Sequence, residues 1–179
     1  MDYIHPVNLD IDIEQIRVII ESEILRLQPE GMLFHQRLVK NNEYLQEIQK
    51  KYSILGDIYN IYYLGANKKI EPHIDSDRSV ALNIPVRGTE NTYTIFYKSK
   101  NNIDTEYRSR FIYDAVGQEE IAEDFRFCLN RPTLINTSGV HGVDNPNNRA
   151  RIIFSWSVLP QYSFEDAVEF FTQYPHGVV

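Results

Sequence analysis

The sequence predicts a mainly β protein with flanking helices, its body folded as a jelly roll. Two observations carry that expectation. Apolar residues at three- and four-residue steps occur near the two ends of the chain, whereas residues 58–158 read as β-branched and aromatic runs separated by turn residues. The length of 179 residues suits one domain with a sizeable core. A hydrophobic fraction of 42% lies in the globular range, which excludes a disordered chain, and no run of about 18 apolar residues is present that could span a bilayer.

The elements follow in order. Ile13, Ile16, Ile20, Ile24 and Leu27 form one helical face, with Asp12 placed to cap, Gln15 three residues further on, and Pro29 and Gly31 to stop the helix. A shorter helix is predicted over 43–51, where Tyr44, Leu45 and Ile48 share a face behind Asn41 or Asn42. Eight strands are predicted at 58–64, 70–75, 79–86, 92–98, 107–115, 125–129, 133–137 and 149–158. Two sheets folded over each other bury most strand edges and leave a cavity that can hold a ligand or metal. A closing helix over 164–174 places Phe164, Val168 and Phe171 on one face behind a capping Ser163. The chain therefore reads as a single domain, with an N-terminal helical region at 1–57, a β core at 58–158 and a C-terminal helix and tail at 159–179. Residues 98–106 read as a loop able to cover a site, and Glu119, Glu120, Glu123 and Asp124 as a solvated acidic turn or short helix.

Charge and cysteine content narrow the functional classes. Eighteen basic against 25 acidic side chains give −7, and no Lys/Arg run exceeds two residues, which argues against nucleic acid and other polyphosphate partners. The first ten residues lack a basic leader and an apolar stretch, so an intracellular, cytoplasmic setting is expected. One cysteine, Cys128, can form neither an internal disulfide nor a cysteine cluster for zinc, and its apolar surroundings suggest a small core residue. Any metal must then be held by histidine and carboxylate.

Three residues meet that requirement. In an extended strand, His73 and Asp75 point the same way, so one strand offers an imidazole and a carboxylate. His141, arriving from across the cavity, completes two nitrogens and one oxygen on one face of an ion and leaves the opposite positions open. Ten residues further on, Arg151 shares a strand face with Ile153 and Ser155, opposite Ile152, Phe154 and Trp156. A guanidinium sent toward a buried side needs an anion there, because an unpaired buried charge costs several kcal/mol. Either a dicarboxylate ligand or an internal Asp or Glu satisfies it. Arg149 follows the turn signal Pro146-Asn147-Asn148 and belongs at the strand mouth with a solvated or turn-bonded role. Asn83, polar within an apolar strand, needs a partner, whether a cosubstrate, a metal-bound water or a neighbouring strand. His5, His35 and His176 have no partner at ligand spacing and read as surface or core residues.

The ordered set His73-x-Asp75, His141 and Arg151 resembles the Fe(II)- and 2-oxoglutarate-dependent dioxygenase superfamily, whose double-stranded β-helix core would span residues 58–158. Pro72, Gly139, Gly142 and Val143 around the ligands are similar to the superfamily pattern as well. The resemblance implies that His73, Asp75 and His141 bind Fe(II) and that Arg151 clamps the distal carboxylate of 2-oxoglutarate through a two-bonded fork. Asn60-x-Tyr62-x-x-Gly65 resembles the strand whose amide and phenol help hold the cosubstrate, a role extended to Asn83. The implied activity is oxidative decarboxylation of 2-oxoglutarate to succinate coupled to substrate C–H hydroxylation, with ascorbate as a supporting reductant. Halogenating members lack the carboxylate found here at Asp75, so hydroxylation or another oxidation is the expected outcome. A peptide side chain or a small metabolite is the expected substrate. The alternatives are a cupin-like metal-binding protein or enzyme that does not use 2-oxoglutarate, and a non-enzymatic β-sandwich.

Overall fold

In the computed structural model, residues 3–27, 33–37, 42–75, 78–99 and 121–177 are described. Pro29, Gly31, Asn41, the predicted strand at 107–115, and Glu119 and Glu120 lie outside them. Ten described strands form two antiparallel sheets. The larger runs β1 (Ile4–Pro6), β8 (Thr133–Asn136), β5 (Val80–Arg87), β10 (Arg151–Val158), β3 (Leu55–Leu64) and β2 (Leu33–Arg37). The smaller runs β4 (Lys68–His73), β9 (His141–Asn145), β6 (Tyr93–Ser99) and β7 (Ile121–Phe127). From β3 to β10 the chain changes sheet at every step except β6 to β7, which is the topology of a double-stranded β-helix.

The helices follow their capping signals. Asp12 Oδ1 accepts from the backbone N–H of Glu14 and Gln15 at 2.9 and 3.1 Å at the start of α1 (Ile13–Leu27). Asn42 caps α2 (Glu43–Lys51) by accepting from Leu45 N at 3.1 Å. Ser163 and Asp166 form a reciprocal capping box on α3 (Phe164–Gln173). All three helices pack on the outer face of the large sheet. Ile16, Ile20 and Ile24 of α1, Leu45 and Ile48 of α2, and Phe164, Ala167 and Phe171 of α3 share one core with Tyr59, Ile61, Leu82, Ile84, Ile152, Phe154 and Trp156. Each fully buried large apolar side chain there contributes roughly 1.5–3 kcal/mol. Trp156 also donates its indole N–H to Gly56 O at 2.7 Å, which satisfies its polar edge. No described helix is long and apolar enough to cross a membrane.

The alternation predicted for β10 thus sorts the sheet into two chemistries. Ile152, Phe154 and Trp156 face the helices, and Arg151, Ile153 and Ser155 face the space between the sheets. Four expectations are corrected. The 1–57 region contains strands as well as helices, because β1 and β2 extend the two edges of the large sheet by pairing with β8 and β3. Residues 141–145, rich in turn-forming types, are the strand β9, held between β4 and β6. Glu123 and Asp124 lie in the edge strand β7 instead of an acidic turn, where Arg126 and the pair Lys98 and Tyr3 bond their carboxylates. Of the predicted 98–106 loop, Lys98 and Ser99 belong to β6, and the remainder lies outside the described residues. Cys128 is half-buried and directs its thiol to Thr89 O at 3.1 Å.

Candidate metal centre

The small sheet brings the two histidines together. β4 and β9 are antiparallel with His73 opposite His141, so both side chains leave the same face, their ring centroids 4.4 Å apart. The register shifts between Ile70 and His73, next to Pro72, which has no N–H to offer the ladder. Gly142 makes that close approach feasible. A Cβ there would stand 2.8 Å from Ile70 O and 3.4 Å from Pro72 N.

Each imidazole is oriented by a backbone carbonyl two residues earlier in the chain. His73 Nδ1 lies 2.8 Å from Glu71 O, and His141 Nδ1 lies 2.9 Å from Gly139 O. With the Nδ1 protons donated to these carbonyls, the Nε2 lone pairs are the free ligating atoms. Asp75 lies two residues beyond the end of β4, so strand alternation is not what aims it. Its backbone N–H donates to Thr137 O at 3.3 Å, and this places Oδ1 3.5 Å from His73 Nε2 and 3.8 Å from His141 Nε2. The ligand atoms of His73, Asp75 and His141 all lie within 4.8 Å of one another.

Electrostatics prepares the set for a cation. Burial pushes the Asp75 carboxyl up, but the His73 hydrogen bond and the Arg78 guanidinium outweigh it and hold the group well below the usual carboxylate range. Burial and the neighbouring His73 push His141 down to about 4, so it is neutral at ordinary pH. For His73, burial acts downward, but Asp75 and the Glu71 carbonyl prevail and raise it. Two neutral-capable imidazole nitrogens and an ionised oxygen on one side of a point suit a facially bound divalent transition metal.

Arg151 lies at the start of β10 and is 3% exposed. Its Nη2 donates to Thr94 Oγ1 at 3.3 Å, and its Nε has no hydrogen-bond partner. Among the described residues no carboxylate lies within ion-pair reach of it, so none of them forms the internal salt bridge weighed from the sequence. Burial draws this guanidinium down to about 10. It lines a cavity of about 50 Å³ together with the three candidate ligands, Tyr62, Arg78, Asn83 and Thr94.

The other sequence candidates separate around this cavity. Tyr62 and Asn83 line it, the phenol accepting from Arg78 Nη2 at 2.8 Å and the amide oxygen from Ser155 Oγ at 2.5 Å. Asn60 is buried on the same face of β3 but does not line the cavity, and its Nδ2 has no hydrogen-bond partner. Arg149 lies outside, paired with exposed Glu90 at 2.8 Å. His5 sits in β1, His35 in β2, and His176 is exposed near Asp10. The sequence reading missed Arg78, whose side chain is 5% exposed and whose Nε donates to Asp75 Oδ2 at 2.8 Å. Its signal was a lone basic residue three positions after a candidate ligand carboxylate, at the mouth of an apolar strand.

No protein-family model matches the sequence, and no curated protein matches it. Solved structures do. The chain is similar to the non-heme alpha ketoglutarate dependent carbocyclase SnoK from nogalamycin biosynthesis at 8% identity, over 86% of this chain and 78% of that one, with a TM-score of 0.60. HygX from Streptomyces hygroscopicus, with nickel and 2-oxoglutarate bound, aligns at 10% identity over 89% of this chain and 82% of its own, with a TM-score of 0.48. A double-stranded β-helix protein from Klebsiella pneumoniae aligns at 10% identity over 74% and 82%, with a TM-score of 0.38. At these identities the likeness to SnoK supports a shared architecture, and the chemistry of the site rests on the residues of this chain.

Proposed function

We propose that this chain is an Fe(II)- and 2-oxoglutarate-dependent oxygenase that hydroxylates a peptide side chain or a small metabolite. The observation that carries this reading is Arg151, a buried cation with no carboxylate partner among the described residues, which faces the same small cavity as a His-Asp-His cluster of metal-ligand geometry. A purely structural arginine at this depth would be expected to have an internal counter-ion, and a ligand carboxylate supplies the missing charge. SnoK shares the architecture, so the architecture itself accommodates this chemistry.

In this reading His73, Asp75 and His141 would hold the ferrous ion, which supplies the oxidation chemistry when bound with the keto acid and dioxygen. Arg151 binds the far carboxylate of 2-oxoglutarate, with Thr94 steadying one arm of the guanidinium. Tyr62 and Asn83 line the wall between, held by Arg78 and Ser155. Ile70, Val143 and Ile153 add apolar groups to the lining.

The test mixes purified protein with Fe(II), ascorbate and labelled 2-oxoglutarate across a substrate panel. The expected result is succinate above the background of a His73→Ala variant, and 2-oxoglutarate binding to the Mn(II)-loaded protein that collapses in Arg151→Ala. Turnover no greater than the His73→Ala background, together with unchanged binding in Arg151→Ala, would refute the assignment in favour of a cupin-like metal protein that does not use the keto acid.

A further inference from the structure

We propose that Arg78 is a positioning residue that restricts Asp75 to ligation through one oxygen. The inference rests on the reading that the triad binds a divalent metal. Its basis is the way the Asp75 carboxylate is divided. Oδ1 faces both Nε2 atoms, at 3.5 and 3.8 Å, while Oδ2 accepts from Arg78 Nε at 2.8 Å. An oxygen bound in a charge-assisted hydrogen bond is a poor second ligand, so the metal receives Oδ1 alone.

The guanidinium is itself fixed. Nη1 donates to Ser155 Oγ on β10 and Nη2 to Tyr62 OH on β3, each at 2.8 Å, and the Ser155 hydroxyl donates in turn to Asn83 Oδ1 on β5. Arg78 therefore ties the ligand-bearing segment of the small sheet to three strands of the large one. Its backbone is fixed as well, since Thr137 donates its hydroxyl to Arg78 O at 2.9 Å and accepts from Asp75 N at 3.3 Å. A planar fork can span these three partners at once, and a lysine ammonium cannot.

One-oxygen ligation has a chemical consequence. An ion with six positions that takes three protein atoms and two from a keto acid keeps one position for a further reactant. A two-oxygen aspartate would fill it. Arg78 thus keeps that position open by occupying Oδ2, without touching the reacting atoms itself.

The experiment uses the full chain with Mn(II) alone. Calorimetry gives the affinity, and infrared difference spectra give the carboxylate stretches, whose separation is wide for one-oxygen and narrow for two-oxygen ligation. The expected result is a wide separation in the native protein and a narrow one in Arg78→Met, with an affinity for Mn(II) that differs from the native value. A separation in folded Arg78→Met equal to the native value overturns the proposal, and so does a narrow separation in the native protein. If Arg78→Met does not fold, the double variant Tyr62→Phe with Ser155→Ala, which loosens the fork but keeps its charge, must narrow the separation for the proposal to stand. A native chain that binds no Mn(II) refutes the metal reading as a whole, whereas native binding with unchanged variant spectra refutes only the role of Arg78.

Discussion

Replacing Arg151 by methionine should stabilise the ligand-free protein while removing its response to a dicarboxylate. Burial draws the guanidinium from its ordinary value down to about 10. At about 1.4 kcal/mol per pH unit, that drop represents roughly 3 kcal/mol by which folding disfavours the charged form. Methionine keeps an aliphatic stem in the same space. What is lost is the 3.3 Å bond to Thr94, worth at most about 1 kcal/mol. The net gain is then about 2 kcal/mol. A base whose folded value is depressed carries its full penalty below that value, and the penalty shrinks only as pH rises from about 10 toward the ordinary guanidinium value. The gain in Arg151→Met should therefore be flat across neutral pH. Urea unfolding reads it as a midpoint raised by roughly 1 M, taking a slope of about 2 kcal/mol per molar. Adding N-oxalylglycine, an inert stand-in for the keto acid, to the Mn(II)-loaded proteins should close most of that gap. The native protein gains about 2.7 kcal/mol at a hundredfold excess over its dissociation constant, and the variant gains much less. A variant that loses more than about 1 kcal/mol without ligand would refute the reasoning, since the guanidinium would then be making favourable contacts inside the fold.

Three further outcomes follow from the same geometry. The affinity for Mn(II) should fall on acidification with a slope of about one proton that sets in above the ordinary imidazole range, because His73, raised by Asp75 and the Glu71 carbonyl against its burial, is the first of the three ligands to take up a proton. His141, pushed down to about 4, should add a second proton only far below that range, and a two-proton slope near neutrality in calorimetry would contradict this order. Gly142→Ala should weaken Mn(II) binding by roughly tenfold or more, because its Cβ meets Ile70 O at 2.8 Å and forces β9 away from β4 beside His141; unchanged affinity would show that the strands yield without moving the ligand. Asn145→Ala should lower stability by about 2–3 kcal/mol in urea unfolding, since Asn145 Nδ2 bonds the carbonyls of Leu64, Gly65 and Arg149 in a fully buried setting; a loss below about 0.5 kcal/mol would mean that water replaces the amide.

What the sequence disclosed and what it concealed divide along a physical line. Features set by local periodicity were legible. Phe164 and Phe171 of α3 share the face predicted for them, with Ser163 as the cap, and the alternation of β10 correctly put Arg151 and Trp156 on opposite faces. Features set by partners distant in sequence were not. β1, β2 and β9 carry no alternation of their own, and β9, with its glycine, aspartate and asparagine, is a strand because β4 and β6 bond it from both sides. Arg78 was concealed for the same reason, since its partners Tyr62 and Ser155 lie 16 and 77 residues away. Asp75 is instructive in another way. The reason given for its direction was strand alternation, yet it lies past the strand and is aimed by Thr137 and Arg78.

The charges around the cavity impose an order on its occupants. Among the described lining residues one carboxylate, Asp75, faces two guanidinia, Arg78 and Arg151, so with both imidazoles neutral these groups carry a net charge of +1. A divalent cation alone raises that to +3 in a water-poor space, where like charges repel strongly. A doubly charged dicarboxylate returns it to +1. Each ligand therefore removes a cost that the other would meet alone, and by linkage the two must raise each other's affinity by the same factor, on the order of 5- to 150-fold. Part of that coupling comes from direct contact between a keto acid and the metal, and part from Arg151, and the variant separates them. In Arg151→Met, Mn(II) alone should bind more tightly than in the native protein, because a repelling charge is gone, while the factor gained on adding N-oxalylglycine shrinks to the direct-contact share. Paired Mn(II) titrations with and without N-oxalylglycine measure both quantities. Were the native factor close to one, or equal in the variant, the charge of Arg151 would be balanced by something other than the diacid, and the reading of the cavity as a joint metal and dicarboxylate site would fail with it.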